Sequence, residues 1–295
     1  MQAITSSDLA GIGDPVIIFT CGRSGTHMTI DLIRRHFAGF ASWKYPLEYN
    51  SAVYTWLDSL VQPGASLRSL GRLRRAARPI LMTHFWPKMC EHLARDQPVL
   101  AQWIIERGRV IHVVRNPRDA INSAWPIENH RARRIGRQFE TREHYVRRVG
   151  RRWATDLEAM RHGSPHIQLR YEDIIRDPAW AIRRIGEWIG AVPLGREPIL
   201  VRPYRSVTEA RLARIFMTRP VSTAAIASRA VRAKYCFAWT PQLNAILLAA
   251  VGSELALLGY NEETAFHQST NDRSVYRAGS RPPAEFATGE QYSAR

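Results

Sequence analysis

The segment Thr20–His27, with the sequence TCGRSGTH, combines the residue types that bind oxyanions. It directly follows an apolar run and directly precedes a helical pattern, so backbone N–H groups and a helix N-terminus would converge on one point. Gly22 and Gly25 permit a tight turn, and the guanidinium of Arg23 suits phosphate or sulfate oxygens. The segment predicts an anion-binding loop; the alternative is an ordinary strand-to-helix turn capped by Ser24.

Three common phosphate-binding motifs do not fit this segment. A Walker A loop requires GxxxxGK[ST], and neither that spacing nor its lysine is present. The dinucleotide fingerprint GxGxxG is also absent. A cysteine phosphatase loop carries its arginine at the position that His27 occupies here.

A second candidate segment is Arg115-Asn116-Pro117-Arg118-Asp119, followed by Ser123. It also closes an apolar run, so Arg115 should stand at the carboxyl edge of a sheet, where open α/β folds bind ligands. Ser123 lies eight residues after Arg115, about two turns along the helix that follows. We expect both side chains to reach the same anion.

Both segments must be positioned by strands that alternate with helices. Continuous apolar runs predict buried strands, at Val16–Thr20, Ile80–Thr83, Val110–Val114 and Ile167–Tyr171. Helical spacing occurs between and after them, at Asp31–Phe37, in the stripe Tyr145/Val149/Trp153/Leu157/Met160, and at Ala181–Ile189. This order predicts an α/β fold with a mainly parallel sheet flanked by helices.

Composition indicates a globular protein, and its excess of arginine points either to an anionic partner or to a coding bias toward arginine. The chain has 295 residues, of which 45% are hydrophobic, and a formal net charge of +16 that comes from 39 arginines and only three lysines. Nine arginines lie within residues 131–152; they predict a solvated helix face or a rim that attracts anions. No nucleic-acid-binding motif accompanies them, so we expect no nucleic-acid partner.

No targeting or membrane-spanning segment is expected. Three widely spaced cysteines form neither a disulfide framework nor a metal site. The N-terminus shows no secretory signal, and the apolar run near Leu243–Leu258 is too short and too patterned to span a bilayer. A cytoplasmic protein is the default expectation.

The two anion-binding segments together resemble the sulfotransferase family that uses 3′-phosphoadenosine-5′-phosphosulfate (PAPS). The matching residues are Arg23-Ser24-Gly25-Thr26 and Arg115-Asn116-Pro117-Arg118-Asp119 with Ser123. Further similarities run in the family's order from about residue 15 to 260. They are Thr83-His84, Leu169-Arg170-Tyr171-Glu172-Asp173-Ile174 with Asp177-Pro178, and Trp239-Thr240-Pro241 through Leu258-Gly259-Tyr260, which is similar to the closing helix of bacterial members.

The resemblance implies a role for each matching residue. Residues 23–27 (Arg23, Ser24, Gly25, Thr26 and His27) would hold the 5′-phosphosulfate end, and Arg115 with Ser123 would hold the 3′-phosphate. Tyr171 would lie near the adenine, and Arg229 and Arg232 match a further donor-binding segment poorly. His84 would be the catalytic base, with Arg23 stabilising charge on the leaving phosphate oxygen.

Three positions depart from the family's pattern. Gly22 replaces the usual proline and His27 replaces a threonine or serine, and both still permit phosphate binding. Met82 stands where the family's KTH triplet has lysine, so one cation near the transferring group is missing and another arginine would have to supply it. Some relatives use a carboxylate base instead of the histidine.

The expected protein is a three-layer, P-loop-like α/β enzyme that moves a sulfuryl group from PAPS to a hydroxyl or amine of a small molecule. It would release PAP and need no metal. The acceptor is expected to be aromatic or glycosylated, because aromatic residues crowd residues 40–56 and Trp86 and Trp125 adjoin His84 and Ser123; core packing is the other interpretation.

Two alternatives remain at this point: an ATP-dependent small-molecule kinase, and a nucleotide-binding relative without activity. For the chain's organisation we expect an extension at residues 1–14, one domain at 15–260 and a polar tail at 261–295. The sequence does not indicate an oligomeric state.

Overall fold

A computed structural model describes residues 4–40, 54–61, 70–71, 73–74, 76–163, 165–201, 212 and 237–260. Within them, five strands form the centre of the fold: β1 (Val16–Thr20), β2 (Thr55–Trp56), β3 (Ile80–Thr83), β4 (Arg109–Val114) and β5 (His166–Arg170). They pair in the order β2-β3-β1-β4-β5, and every neighbouring pair is parallel.

Helices precede and follow these strands along the chain. Those that the structure describes are α1 (Ser6–Leu9), α2 (Thr26–His36), α3 (Asp58–Val61), α4 (Trp86–Asp96), α5 (Pro98–Arg107), α6 (Pro117–Arg134), α7 (Arg142–His162), α8 (Tyr171–Arg176), α9 (Pro178–Ile189) and α10 (Pro241–Leu257). None of them has the length and apolar character needed to cross a bilayer.

Both faces of the sheet are buried. Val16 and Ile18 of β1 belong to one apolar core with α2 and α9, whereas Ile17 and Phe19 belong to a second core with α4 and α5. A strand covered on both faces needs apolar residues at successive positions, which is the pattern of Val16–Phe19 in β1. A third core unites α6, α7 and α10. The predicted three-layer α/β class is therefore confirmed.

The register brings the carboxyl ends of four strands to one edge. Phe19 of β1 lies opposite Thr83 of β3 and His112 of β4, and Val114 of β4 lies opposite Arg170 of β5. The loops that follow β1, β3, β4 and β5 therefore meet. From β1 the chain passes to β2 and β3 on one side and then crosses to β4 and β5 on the other. Such a reversal opens the crevice in which α/β sheets bind ligands.

The predicted ends of the buried strands agree with the structure to within one residue. The strands β1 and β3 have the predicted ends, while β4 begins one residue earlier and β5 ends at Arg170 because Tyr171 starts α8. Helix α2 begins at Thr26 rather than at Asp31, since the anion-loop residues themselves enter the helix. Strand β2 was not predicted, because two residues carry no periodic signal.

The arginine-rich segment forms a solvated face with one exception. Of the nine arginines between residues 131 and 152, eight are exposed, and Arg152 alone is half-buried. Tyr145 and Trp153, on the opposite side of α7, are almost completely buried in the third core. The eight exposed arginines are in contact with solvent, as both a solvated face and an anion-attracting rim require.

Candidate functional site

The loop between β1 and α2 has a backbone conformation that requires glycine at Gly25. The φ angle of Gly25 is 103°, and an added Cβ would lie 2.6 Å from Cδ2 of Tyr171. Arg23 has a φ of 68°, which is uncommon for a residue with a side chain. These two angles bend the chain so that α2 starts at Thr26. The first N–H groups of α2 therefore lie at the carboxyl edge of the sheet.

The arginines and the serine predicted to bind one ligand lie together at this edge. Arg23 donates from Nε to Oγ of Ser123 over 3.2 Å, and Arg115 donates to the carbonyl of Arg23 over 3.3 Å. The guanidinium of Arg115 also stacks on the ring of Tyr171, 4.3 Å from its centroid. Four residues predicted from separate segments therefore meet in one cluster that carries two positive charges.

Two buried polar atoms in this cluster have no partner within the described chain. They are the hydroxyl of Ser24, a fully buried residue, and Nε of Arg115. Leaving a buried donor unsatisfied costs about 1–3 kcal/mol. A bound oxyanion is the kind of group that accepts such hydrogens, so the residues fit a phosphate or sulfate ligand.

The turn that carries Arg115 is anchored from both sides. Asn116 donates its backbone N–H to Glu172 over 3.0 Å, and the other carboxylate oxygen of Glu172 accepts from the hydroxyl of Tyr260 over 2.7 Å. Arg118 donates to the side chain of Asn244 in α10 over 2.7 Å. Sequence analysis quoted Glu172 and Tyr260 as parts of motifs but did not predict that they support this turn.

His84 follows β3 and has a defined tautomer. Its Nδ1 lies 2.8 Å from the carbonyl oxygen of Thr20, which can only accept, so Nδ1 carries a hydrogen. The neutral ring then has its lone pair on Nε2, the atom that a general base needs. Nδ1 also lies 3.0 Å from the hydroxyl of Thr20, which in turn lies 2.6 Å from the hydroxyl of Thr26.

These contacts link His84 to the N-terminus of α2. A protonated Nδ1 cannot accept, so the hydroxyl oxygen of Thr20 is the acceptor in its contact with Nδ1. The hydroxyls of Thr20 and Thr26 share one hydrogen bond, and Thr26 is the first residue of α2. His84 is thus hydrogen-bonded, through Thr20, to the candidate anion-binding loop.

The surroundings of His84 favour its neutral form. Burial is the largest effect and lowers the pKa of the imidazole, and the positive charges of Arg152 and Arg23 lower it further. The hydrogen bond to Thr20 and the negative charge of Asp58 oppose this shift. We therefore expect His84 to be unprotonated at neutral pH and able to accept a proton.

His27 is neutral as well. Burial, together with the charges of Arg23 and His84, lowers its pKa to about 4. If His27 contacts an anion, it does so as a neutral N–H donor rather than as a cation. The positive charge of this site therefore comes from the arginines.

Two exposed aromatic side chains flank His84. The ring of Trp56 meets the imidazole edge-on at 5.3 Å; Trp56 and Phe85 are 39% and 42% exposed. Trp86 and Trp125, which adjoin the site in sequence, are 4% and 6% exposed and pack in the second and third cores. The core-packing interpretation is correct for these two tryptophans, because each lies on the inner face of its helix.

Some predicted residues cannot be assessed in the structure. Arg229 and Arg232 lie outside the described residues, as do the aromatic residues at positions 43, 45 and 49 and the predicted tail at 261–295. The part of the chain that is described contains no group of three His, Cys, Asp or Glu side chains able to hold a metal ion.

Comparison with known proteins gives one family match. Residues 13–200 match the family model described as "Sulfotransferase domain". These residues include both anion-binding segments, His84 and Tyr171. No curated protein matches the sequence significantly.

Several solved structures are similar at low identity. The sulfotransferase domain from the curacin biosynthetic pathway is 13% identical, with a TM-score of 0.43, and the match covers 84% of this chain and 98% of that one. A sulfotransferase from Alicyclobacillus acidocaldarius is 13% identical, with a TM-score of 0.43, and the match covers 85% of this chain and 98% of that one. Retinol dehydratase in complex with retinol and PAP is 15% identical, with a TM-score of 0.35, and the match covers 82% of this chain and 81% of that one.

Proposed function

Since this chain belongs to the sulfotransferase domain family, we propose that it transfers a sulfuryl group from PAPS to a hydroxyl, or less often an amine, of a small molecule. The observation that carries this proposal is the convergence of two anion-binding segments at one sheet edge, joined by the Arg23–Ser123 hydrogen bond. A donor that has phosphate groups at both its 5′ and 3′ positions matches two such segments. Cytoplasmic location is part of the proposal, in keeping with the sparse cysteines.

Each anion-binding segment has a proposed partner on the donor. The loop residues Ser24, Gly25 and Thr26, with the N-terminus of α2, would bind the 5′-phosphosulfate end. Arg115 and Ser123 would bind the 3′-phosphate, the group that distinguishes PAPS from ATP. In this proposal Tyr171, which stacks on Arg115 in the structure, contacts the adenine instead.

The proposed chemistry is an in-line displacement with His84 as the base. The acceptor oxygen forms a bond to sulfur while the bond from sulfur to the 5′-phosphate oxygen breaks, and Nε2 of His84 takes the acceptor proton. PAPS supplies the sulfuryl group and leaves as PAP. As in phosphoryl transfer, catalysis depends mainly on positioning and on stabilising oxygen charge, which Arg23 would do for the leaving phosphate. No metal takes part in the proposed mechanism.

The acceptor class follows from the side chains beside His84. Trp56 and Phe85 offer exposed ring surface next to the base. Aromatic rings of this kind suit stacking on a flat ring or on the apolar face of a sugar. We propose an aromatic or glycosylated small molecule as the acceptor.

Nucleotide binding tests the donor site directly. Calorimetric titration without divalent metal should show that the protein binds PAP at least about 10-fold more tightly than 5′-AMP or ATP, because the 3′-phosphate adds charge-assisted hydrogen bonds. A preference for ATP would favour a kinase, and no binding of any nucleotide would reject the proposed donor.

Arg115→Ala should remove the preference for PAP over 5′-AMP. Hydrogen bonds to a charged group contribute about 1.5–3 kcal/mol, so their loss should weaken PAP binding by about 10- to 100-fold. The affinity for 5′-AMP, which lacks the 3′-phosphate, should be nearly unchanged. The matched control is Arg147→Ala on the exposed face of α7. If Arg115→Ala weakens the binding of PAP and of 5′-AMP equally, Arg115 does not bind the 3′-phosphate.

A further inference from the structure

The turn that carries His84 is held by an arginine far away in the sequence. Arg152 of α7 donates from its guanidinium to the carbonyl oxygen of His84. The same guanidinium stacks on the ring of Phe85, with Cζ 3.7 Å from the centroid. One side chain therefore contacts both His84 and the residue after it, which fixes the chain between β3 and α4.

Arg152 is itself held by a buried carboxylate. Its Nε lies 3.7 Å from Oδ2 of Asp156, one turn further along α7, and the side chain of Asp156 is only 7% exposed. The thiol of Cys21 donates to the same oxygen over 3.5 Å. Asp156 thus connects the start of the anion loop to the arginine that holds the base.

The Cys21 thiol acts as a hydrogen-bond donor here and not as a nucleophile. Burial and the negative charge of Asp156 both raise the pKa of the thiol, so the thiolate is disfavoured. Burial also raises the pKa of the Asp156 carboxyl to about 6, although Arg152 and Cys21 oppose the rise. Asp156 is therefore mostly ionised at pH 7 and pairs with Arg152.

Strand β3, which precedes His84, carries no positively charged residue. Met82 occupies the position of the lysine in the family's KTH triplet, and it is fully buried in the first core. No cation therefore reaches the site from that position of β3. Arg152 approaches the same turn from α7, and its charge acts on the imidazole of His84.

We infer that Arg152, oriented by Asp156, is a positioning residue for His84: it fixes the turn that carries the imidazole and adds a positive charge near it. The inference rests on the proposed function of His84 as a base. It extends that proposal, because it assigns a part in base catalysis to α7, a helix outside both anion-binding segments.

The charged groups around His84 define what the test must separate. Arg23 lies in the anion loop, His27 in α2, Asp58 in α3 and Arg152 in α7. Removing one positive charge from this set should raise the pKa of His84, because the protonated ring is then repelled less. On acidification, such a variant would therefore lose the neutral, active form of His84 at a higher pH than the wild type does.

Imidazole NMR tests this without any substrate. The resonance of His84, assigned by its loss in His84→Gln, is titrated with pH in the wild type and in Arg152→Gln. We expect Arg152→Gln to raise the pKa of His84 by about 0.5–1 unit. Arg152→Lys, which keeps the charge, and Arg151→Gln, which removes an exposed charge one residue away, should leave it within about 0.2 unit of the wild type. The side chain of Arg152 is 33% exposed, so we expect these variants to fold.

Turnover provides the second measurement. Arg152→Gln should lower kcat about 10-fold or more with little change in the KM for PAPS. The acid limb of its pH profile of kcat should move to higher pH, by the same amount as the pKa of His84 measured by NMR. An unchanged pKa of His84 in Arg152→Gln, or an equal shift in Arg151→Gln, would overturn the inference. A wild-type protein without sulfotransferase activity would instead reject the proposed function, and the NMR titration would still decide whether Arg152 controls His84.

Discussion

His84→Gln should reduce kcat by about 10²- to 10⁴-fold, the range that removal of a general base produces. Glutamine keeps a polar side chain of similar reach but cannot take a proton from the acceptor. Because the side-chain hydrogen bonds that the structure describes between His84 and the anion loop go to Thr20, PAP affinity should change by less than about threefold. Steady-state kinetics with PAPS and calorimetry with PAP measure the two effects on the same preparation.

A matched histidine separates this effect from a general loss of stability. His92 is exposed on α4, and His92→Gln should leave both kcat and PAP affinity at wild-type values. If His84→Gln retains full activity, the base is another group, and Asp58 is the first carboxylate to test because its charge acts on His84. If His84→Gln loses PAP binding together with turnover, the residue maintains the donor site and its role as a base is rejected.

Gly25→Ala should damage both folding stability and donor binding. The φ of 103° is unfavourable for alanine, and the new Cβ would lie 2.6 Å from the ring of Tyr171. Strain of this kind costs about 1–3 kcal/mol, and each kcal/mol lowers the Tm of a domain of this size by about 2–4 °C. Since relief requires the loop or Tyr171 to move, PAP affinity should fall by about 10-fold or more.

Two other glycines separate the causes of this effect. Gly22 has no neighbour within 4 Å of an added Cβ and no positive φ, so Gly22→Ala should leave the Tm near its wild-type value. Gly11 has a φ of 76° but open space around it, so Gly11→Ala should show the cost of backbone strain alone. A Tm for Gly25→Ala equal to that of Gly22→Ala would contradict the close packing of the loop on Tyr171.

The meeting of the two anion-binding segments was predictable because parallel strands share a direction. The apolar runs that end at Thr20 and Val114 could be recognised as buried strands, and their carboxyl ends lie at the same edge of any parallel sheet. The parallel direction of the strands places Arg23 and Ser123 at one edge. That β1 and β4 are neighbours, so that these residues, 100 positions apart, form a hydrogen bond, is seen only in the structure.

The aromatic side chains next to the base were not predictable in the same way. Trp86 is two residues from His84 along the chain and Trp56 is 28 residues from it, yet Trp56 is the one exposed beside His84 and Trp86 is buried. Strand β2, which carries Trp56, has two residues, too few for a periodic pattern. Which ring faces the crevice depends on how each element packs on the sheet.

The sequence by itself determined the fold class and the candidate anion-binding loop, because these depend on local chemistry and on the alternation of strands and helices; His84 as candidate base came from the resemblance to the family's motif. The tertiary structure decided the tautomer of His84, the packing of Tyr171 on Gly25 and the pairing of Arg152 with His84. Nine arginines within residues 131–152 look alike in the sequence. Arg152 differs from the others because α7 packs with that position toward the anion loop, where Asp156 lies beside Cys21.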